Sequence, residues 1–247
     1  MEKKYLLLLS YDGSNYLGWQ KTKEGPSIEG TVQAALERIL QQPIYLEAAS
    51  RTDAGVHALG QVITFKALFD KKSVDQILLS MNQLLPADIR ALSLTLTVLD
   101  FHPTLNSVQK EYEYKVNTSP ILCPFKRATY WHFPQKLDLN LMRSAATQLI
   151  GEKDFRGFTN TKKGPHQNTI RTLFSLEIDE VGSDVIFNIR GNHFLYKMVR
   201  NLVGTLLYIG SSKLPLDVIE QLLENKKRCQ GGMTAPASGL TLKKIFY

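Results

Sequence analysis

Twelve consecutive residues, Ser50-Arg51-Thr52-Asp53-Ala54-Gly55-Val56-His57-Ala58-Leu59-Gly60-Gln61, gather a guanidinium, a carboxylate, an imidazole and two glycines. Short β-type runs flank them at residues 44–49 and 62–65. A polar, glycine-bearing loop between apolar strands is where a rigid scaffold commonly carries chemistry. An aspartate there can act as nucleophile or general base, and a nearby guanidinium such as that of Arg51 favours its ionised form. From residue types alone the same stretch also suits a structural role, with Thr52 or Asp53 capping a turn and Arg51 in a surface ion pair.

Positioning such a loop takes strands beside it and helices to cover them. Residues 5–11 form an aromatic and leucine run ending at Asp12-Gly13, which reads as a buried strand and a turn; Trp19 belongs to the core beside it. Ile28, Val32, Ala35, Leu36, Ile39 and Leu40 share one helical face behind Ser27, a suitable N-cap. A second helix is expected from Ser73 to Pro86, and a strand over residues 89–98 closes the first half. Phe101-His102-Pro103 then interrupts the pattern, which divides the chain into a first domain of residues 1–103 and a second of 104–247.

Beyond the boundary, alternation places Val108, Lys110, Tyr112, Tyr114 and Val116 on one strand face. Helices are expected over residues 140–150, 194–209 and 215–223, and strands over 169–178, 185–190 and 240–247. Strands and helices mixed without strict βαβ alternation predict an α+β fold. Its simplest form is two mixed halves, each with a largely antiparallel sheet covered by helices, and a cleft between them.

The length of 247 residues suits one large or two small domains, and 43% hydrophobic content is enough for a proper core. No run of about 18 apolar residues occurs, and residues 6–9 are too short for the apolar region of a signal peptide, so a cytoplasmic protein is expected. The two cysteines, Cys123 and Cys229, read as reduced thiols. A net charge of +7 points to a polyanionic partner. Residues 1–103 carry 10 Lys and Arg against 11 Asp and Glu, and the remainder 20 against 12. A phosphate backbone should therefore be gripped by the second part. Lys110, Lys126, Arg127, Lys162, Lys163 and the Lys226-Lys227-Arg228 cluster are generic contacts for it.

The run Arg51-Thr52-Asp53-Ala54-Gly55-Val56-His57 with Gly60-Gln61-Val62 resembles the signature of the tRNA pseudouridine synthase A family. Further stretches match the family in order: residues 11–20, Asn82 with 85–89, Phe101-His102, residues 110–114, Asp154-Phe155 with Phe158, residues 169–172, 198–204 and 235–240. Together they span nearly the whole chain. The resemblance implies a cofactor-independent isomerase that converts uridines 38, 39 and 40 of the tRNA anticodon stem-loop to pseudouridine, and a homodimer whose RNA spans both subunits. The apolar face of the 194–209 helix or the final strands are the candidates for that interface.

The resemblance makes Asp53 the catalytic residue and sets Tyr112 against the flipped base. Arg51 enters the space that the base leaves, and Arg171 and Arg200 bind phosphate or position Asp53. Breaking and remaking a glycosidic bond consumes nothing. In keeping with that, the chain carries no P-loop, no dinucleotide-binding glycines and no Cys/His cluster of metal-ligand spacing. His57 and His102 read as hydrogen-bonding or packing groups. Thr104 stands where the family commonly has an arginine, so one basic contact is missing or supplied elsewhere. A non-catalytic RNA-binding module and a pseudouridine synthase with another RNA target are the rival readings.

Overall fold

Alternation along Lys3–Tyr11 buries Tyr5, Leu7, Leu9 and Tyr11 together, and this stretch is strand β1. The computed structural model describes residues 2–68, 72–160, 168–225 and 227–247. Ser27 accepts a hydrogen bond from the Gly30 amide and opens α1 (Ile28–Leu40), whose buried residues are the six apolar ones that share a face in the sequence. The short β2 (Glu47–Ala48) and long β3 (His57–Ala67) flank the Asp53 loop. Strand β3 begins at His57, so the imidazole belongs to the strand. Helix α2 (Val74–Leu84) has a capping box between Ser73 and Gln76, and β4 (Ile89–Thr97) follows.

The second series runs β5 (Gln109–Asn117), β6 (Trp131–His132), α3 (Leu139–Thr147), β7 (Gly151–Asp154), β8 (Ile170–Val181), β9 (Asp184–Gly191), α4 (Met198–Gly210) and α5 (Val218–Asn225). The last strand is β10 (Leu240–Phe246). Helix α4 starts at Met198 and not at Phe194, because Lys197 adopts a left-handed φ of 59°. All of its residues except Arg200 and Tyr208 are buried, and it packs on α3. Its apolar face is thus packed within unit 2.

The chain forms two compact units, residues 1–108 with 241–247, and residues 109–240. In unit 1 the strand order is β4-β1-β3-β10, with β2 also on β3; all of these pairings are antiparallel except β3 with β10. In unit 2 the order is antiparallel β5-β9-β8-β7, with β6 parallel to β5. Helix α2 packs on β4, and α3 on β8. This is the expected α+β class. The division comes after Val108 rather than 103, and the final strand returns to unit 1: Thr241 and Leu242 pair with His57 and Ala58. No helix among the described residues is long and apolar enough to cross a membrane.

Candidate active site

The Asp53 loop is tied down along its length. Gln61, wholly buried on β3, donates through Nε2 to the Ser50 carbonyl (2.6 Å) and accepts from the Ser50 amide (3.3 Å). The hydroxyls of Tyr11 and Thr52 share a 2.8 Å hydrogen bond. The Thr52 carbonyl accepts from the Trp19 amide (2.9 Å), and the Gly55 amide donates to the Tyr16 carbonyl (3.3 Å). Val56 closes a turn by donating to the Asp53 carbonyl (3.1 Å), with Gly55 at φ 78° in the position where such a turn needs positive φ. The β1–α1 connection lies hard against this loop. A Cβ at Gly13 would stand 2.0 Å from the Val56 carbonyl oxygen, and one at Gly18 2.6 Å from that of Thr52.

The sequence run from Tyr11 to Gln20 therefore clamps the aspartate loop. Trp19, buried against Tyr11, is core as expected. His57 is buried with Nδ1 3.1 Å from the Gly13 amide nitrogen and 3.0 Å from Asp12 Oδ1. Nδ1 accepts from Gly13 when bare and donates to Asp12 when protonated. Burial raises the Asp12 carboxyl, but the two Ser14 hydrogen bonds and His57 outweigh it and hold Asp12 below the ordinary range. His102 accepts through Nδ1 from the amides of Thr104 (3.1 Å) and Leu105 (3.3 Å). Both imidazoles thus serve hydrogen bonding. On this loop Asp53 is partly exposed, and Arg51 is exposed with no ion pair among the described residues.

Thr104 has a structural task. Its hydroxyl donates to the Ala48 carbonyl (2.7 Å) and fastens the segment after Phe101-His102 to β2.

Unit 2 holds the other candidates. Tyr112 on β5 is 6% exposed, its ring meeting that of Phe194 edge-on at 5.0 Å. Tyr114, two residues on, is wholly buried and donates to the Pro236 carbonyl (2.7 Å), which makes it a core residue. Arg200, in the first turn of α4, donates through Nε to the Ala235 carbonyl (2.7 Å), while the Ala235 amide returns a bond to the Arg200 carbonyl (3.1 Å). Gly204 and Gly232 permit this. A Cβ at Gly204 would be 1.8 Å from the Met233 carbonyl oxygen, and one at Gly232 2.4 Å from that of Gly204. Asn201 lies beneath, wholly buried, donating to the Phe158 carbonyl and to Asn160 and accepting from Arg228 and Thr234. The residue runs 198–204 and 235–240 are thus two sides of one scaffold that orients Arg200.

Arg171 on β8 is half-buried, with one guanidinium nitrogen donating to its neighbour's carbonyl (Ile170, 2.5 Å). Lys126, expected as a generic phosphate contact, is instead spent on Asp184 (2.6 Å). Lys162, Lys163 and Lys226 lie outside the described residues. The structure brings Arg51 and Asp53 together on one loop in unit 1, and places Tyr112, Arg171 and Arg200 in unit 2. Sequence reasoning missed the weight of Lys110 and the parts of His193 and Phe194. The period-two alternation does put Lys110 on the Tyr112 face, but His193 and Phe194, the second and third residues after β9, follow no pattern that marks them.

The sequence profile of the tRNA pseudouridine synthase family matches residues 8–103 and 145–247. The chain is 46% identical over 243 residues to tRNA pseudouridine synthase A 2 of Protochlamydia amoebophila, covering 98% of this chain and 93% of that one. It is 39% identical over 250 residues to tRNA pseudouridine synthase A of Thermodesulfovibrio yellowstonii, covering 98% of both. A chain of a solved Cbf5-Nop10-Gar1 complex overlays 82% of this chain and 54% of its own at 15% identity and TM-score 0.36, too loose a fit to argue from. The profile matches on both sides of residues 104–144 and the relatives match over nearly the full length: this chain belongs to the tRNA pseudouridine synthase family, the cofactor-independent isomerases that convert uridine to pseudouridine.

Proposed function

We propose that this chain isomerises uridine to pseudouridine at positions 38, 39 and 40 of the tRNA anticodon stem-loop, with Asp53 as the catalytic carboxylate. The bond between N1 of the base and the ribose is broken, the base turns over, and a carbon–carbon bond from C5 replaces it. The proton leaving C5 is balanced by one gained at N1, so there is no net redox change. Asp53 attacks the nucleotide or takes a proton from the ribose, and either role needs a carboxylate held in one place. The observation that carries this reading is the loop itself: Asp53 is partly exposed on a segment fastened at Ser50, Thr52, Gly55 and Val56.

The base must leave its stack, at a cost of a few kcal/mol. Tyr112 receives it, since an aromatic contact recovers roughly 1–3 kcal/mol per base. Arg51 fills the space left in the RNA. Arg171 and Arg200 bind phosphate or position Asp53. The reading includes a homodimer working in the cytoplasm, and a two-chain mass by light scattering tests the dimer.

The deciding experiment maps pseudouridine by carbodiimide labelling and primer-extension stops. Unmodified tRNA is incubated with wild-type protein and with Asp53→Asn, without added cofactor. Stops in the anticodon stem-loop for wild type alone, with tRNA affinity of the variant within a few fold, support reaction, site and residue together. Tight binding without stops from either protein overturns the enzyme reading in favour of an RNA-binding module.

A further inference from the structure

Lys110, Arg171 and His193 converge in unit 2, and the active-site reading leaves that convergence unused. Lys110 pairs with Gly191, and Gly191 with Leu173, two residues along β8 from Arg171. Directly paired residues face the same side of a sheet, as do residues two apart, so Lys110, Tyr112 and Arg171 share one face. Lys153, paired with Arg171 across β7 and β8, adds a further ammonium to that side. His193 follows β9 at the same corner, where its backbone amide and that of Thr172 both donate to Asn192 Oδ1 (2.6 and 3.0 Å).

Lys110 is only 6% exposed. Arg171 Nε is buried without a hydrogen-bond partner, and Arg171 forms no ion pair among the described residues. The neighbouring carboxylate on β5, Glu111, is on the opposite face, engaged with Arg190 at 3.2 Å. A buried guanidinium N–H with no acceptor is costly unless an acceptor completes its hydrogen bonding, and beside Lys110 an anion is the favoured one.

We propose that Lys110, Arg171 and His193 form a pocket for one phosphodiester of the RNA strand, next to the nucleotide that lies against Tyr112. The pocket takes up the buried Arg171 Nε–H and gives Arg171 the phosphate role rather than the positioning one. Two residues of strand separate Lys110 from Tyr112 by about 7 Å, and Phe194, next to His193, packs on the Tyr112 ring. Base contact and anion contact are therefore held by neighbouring residues of β5 and of the segment that follows β9, with Arg171 supplied by β8. Burial, together with Arg171, pushes Lys110 down to about 8. Burial also lowers Arg171 and, with help from the two cations, His193. A bound anion would reverse all three shifts.

This inference rests on the tRNA reading above and is tested separately from it. A set of anticodon stem-loop RNAs is made in which each backbone phosphate in turn is replaced by an uncharged methylphosphonate. Binding is measured to wild type, to Arg171→Gln and, in case that variant misfolds, to Lys110→Met. One position should weaken wild-type binding about tenfold and have no further effect on either variant. The slope of log affinity against log salt should fall by roughly 0.7–0.9 in each variant, the loss of one phosphate contact.

Penalties that add at every position, or an unchanged salt slope, overturn the pocket. So does competition by inorganic phosphate, lost in Arg171→Gln, alongside such additive penalties, which would mark a site for free phosphate. Conversion of uridine by wild type on the unsubstituted RNA is read in parallel. An active enzyme with additive penalties sinks the pocket alone, whereas the expected coupling without conversion sinks the reaction and leaves the pocket standing.

Discussion

Gly18 shows how much of this site depends on single positions. It has a φ of 92°, and a Cβ there would meet the Thr52 carbonyl oxygen at 2.6 Å. Gly18→Ala should cost about 1–3 kcal/mol of stability through overpacking and backbone strain. It should also lower turnover more than tRNA affinity, because it displaces the Asp53 loop and leaves the basic residues of unit 2 alone. Urea denaturation with single-turnover kinetics checks both, and a variant with wild-type turnover would mean that the loop need not be held so tightly. Lys110 gives a pH signature. Its folded value is about 8 against an ordinary 10.5, so between those values the unfolded chain binds more protons and stability rises with pH. The urea midpoint of wild type should climb across that window, and Lys110→Met should flatten the climb.

At the scale of elements, capping decided what could be foreseen. Ser27 and Ser73 are local signals, each bonding a backbone amide three residues on, and both helices begin where those serines predict. Ser73→Ala should cost about 1 kcal/mol in denaturant titration and leave pseudouridine formation unchanged, since α2 packs on β4, away from the Asp53 loop. Helix α4 had no such signal. Its apolar period extends back to Phe194, but the left-handed Lys197 ends it at Met198 and frees Phe194 to pack on Tyr112. Asn82 is another residue whose task no local rule announces: its side-chain amide accepts from the Ala91 amide (3.0 Å) and donates to the Ala91 carbonyl (2.8 Å), holding α2 to β4.

In the whole molecule the last strand matters beyond its length. Strand β10 lies beside the start of β3, the Val108 amide donates to the Phe246 carbonyl (2.9 Å), and the Tyr247 hydroxyl donates to the Pro103 carbonyl (3.0 Å). A chain ending at Gly239 keeps every candidate catalytic and binding residue, yet should lose activity and become protease-sensitive in unit 1. Retained turnover would show that β10 is dispensable. The return of β10 also moves Lys243 and Lys244 to unit 1, which leaves unit 2 with 18 Lys and Arg against 12 Asp and Glu. The salt dependence of tRNA binding should accordingly respond to charge reversal in unit 2, at Arg171 or Arg200, and little to reversal at Lys3 or Lys66.

By itself the sequence determined the element types, the α+β class, the capping of α1 and α2, and the aspartate loop as the centre of interest, because each depends on periodicity or on neighbours a few residues apart. The resemblance carried by its ordered stretches then named the chemistry. Only tertiary structure decided that Gly13 and Gly18 are there for the close approach of two loops, that Arg200 is aimed through Ala235, and that Lys110 and Arg171 share a sheet face with His193 at its corner. It also decided that the final strand belongs to the first unit. These depend on pairings between residues far apart in the chain, set by strand register and by which backbones can touch, and no local pattern records them.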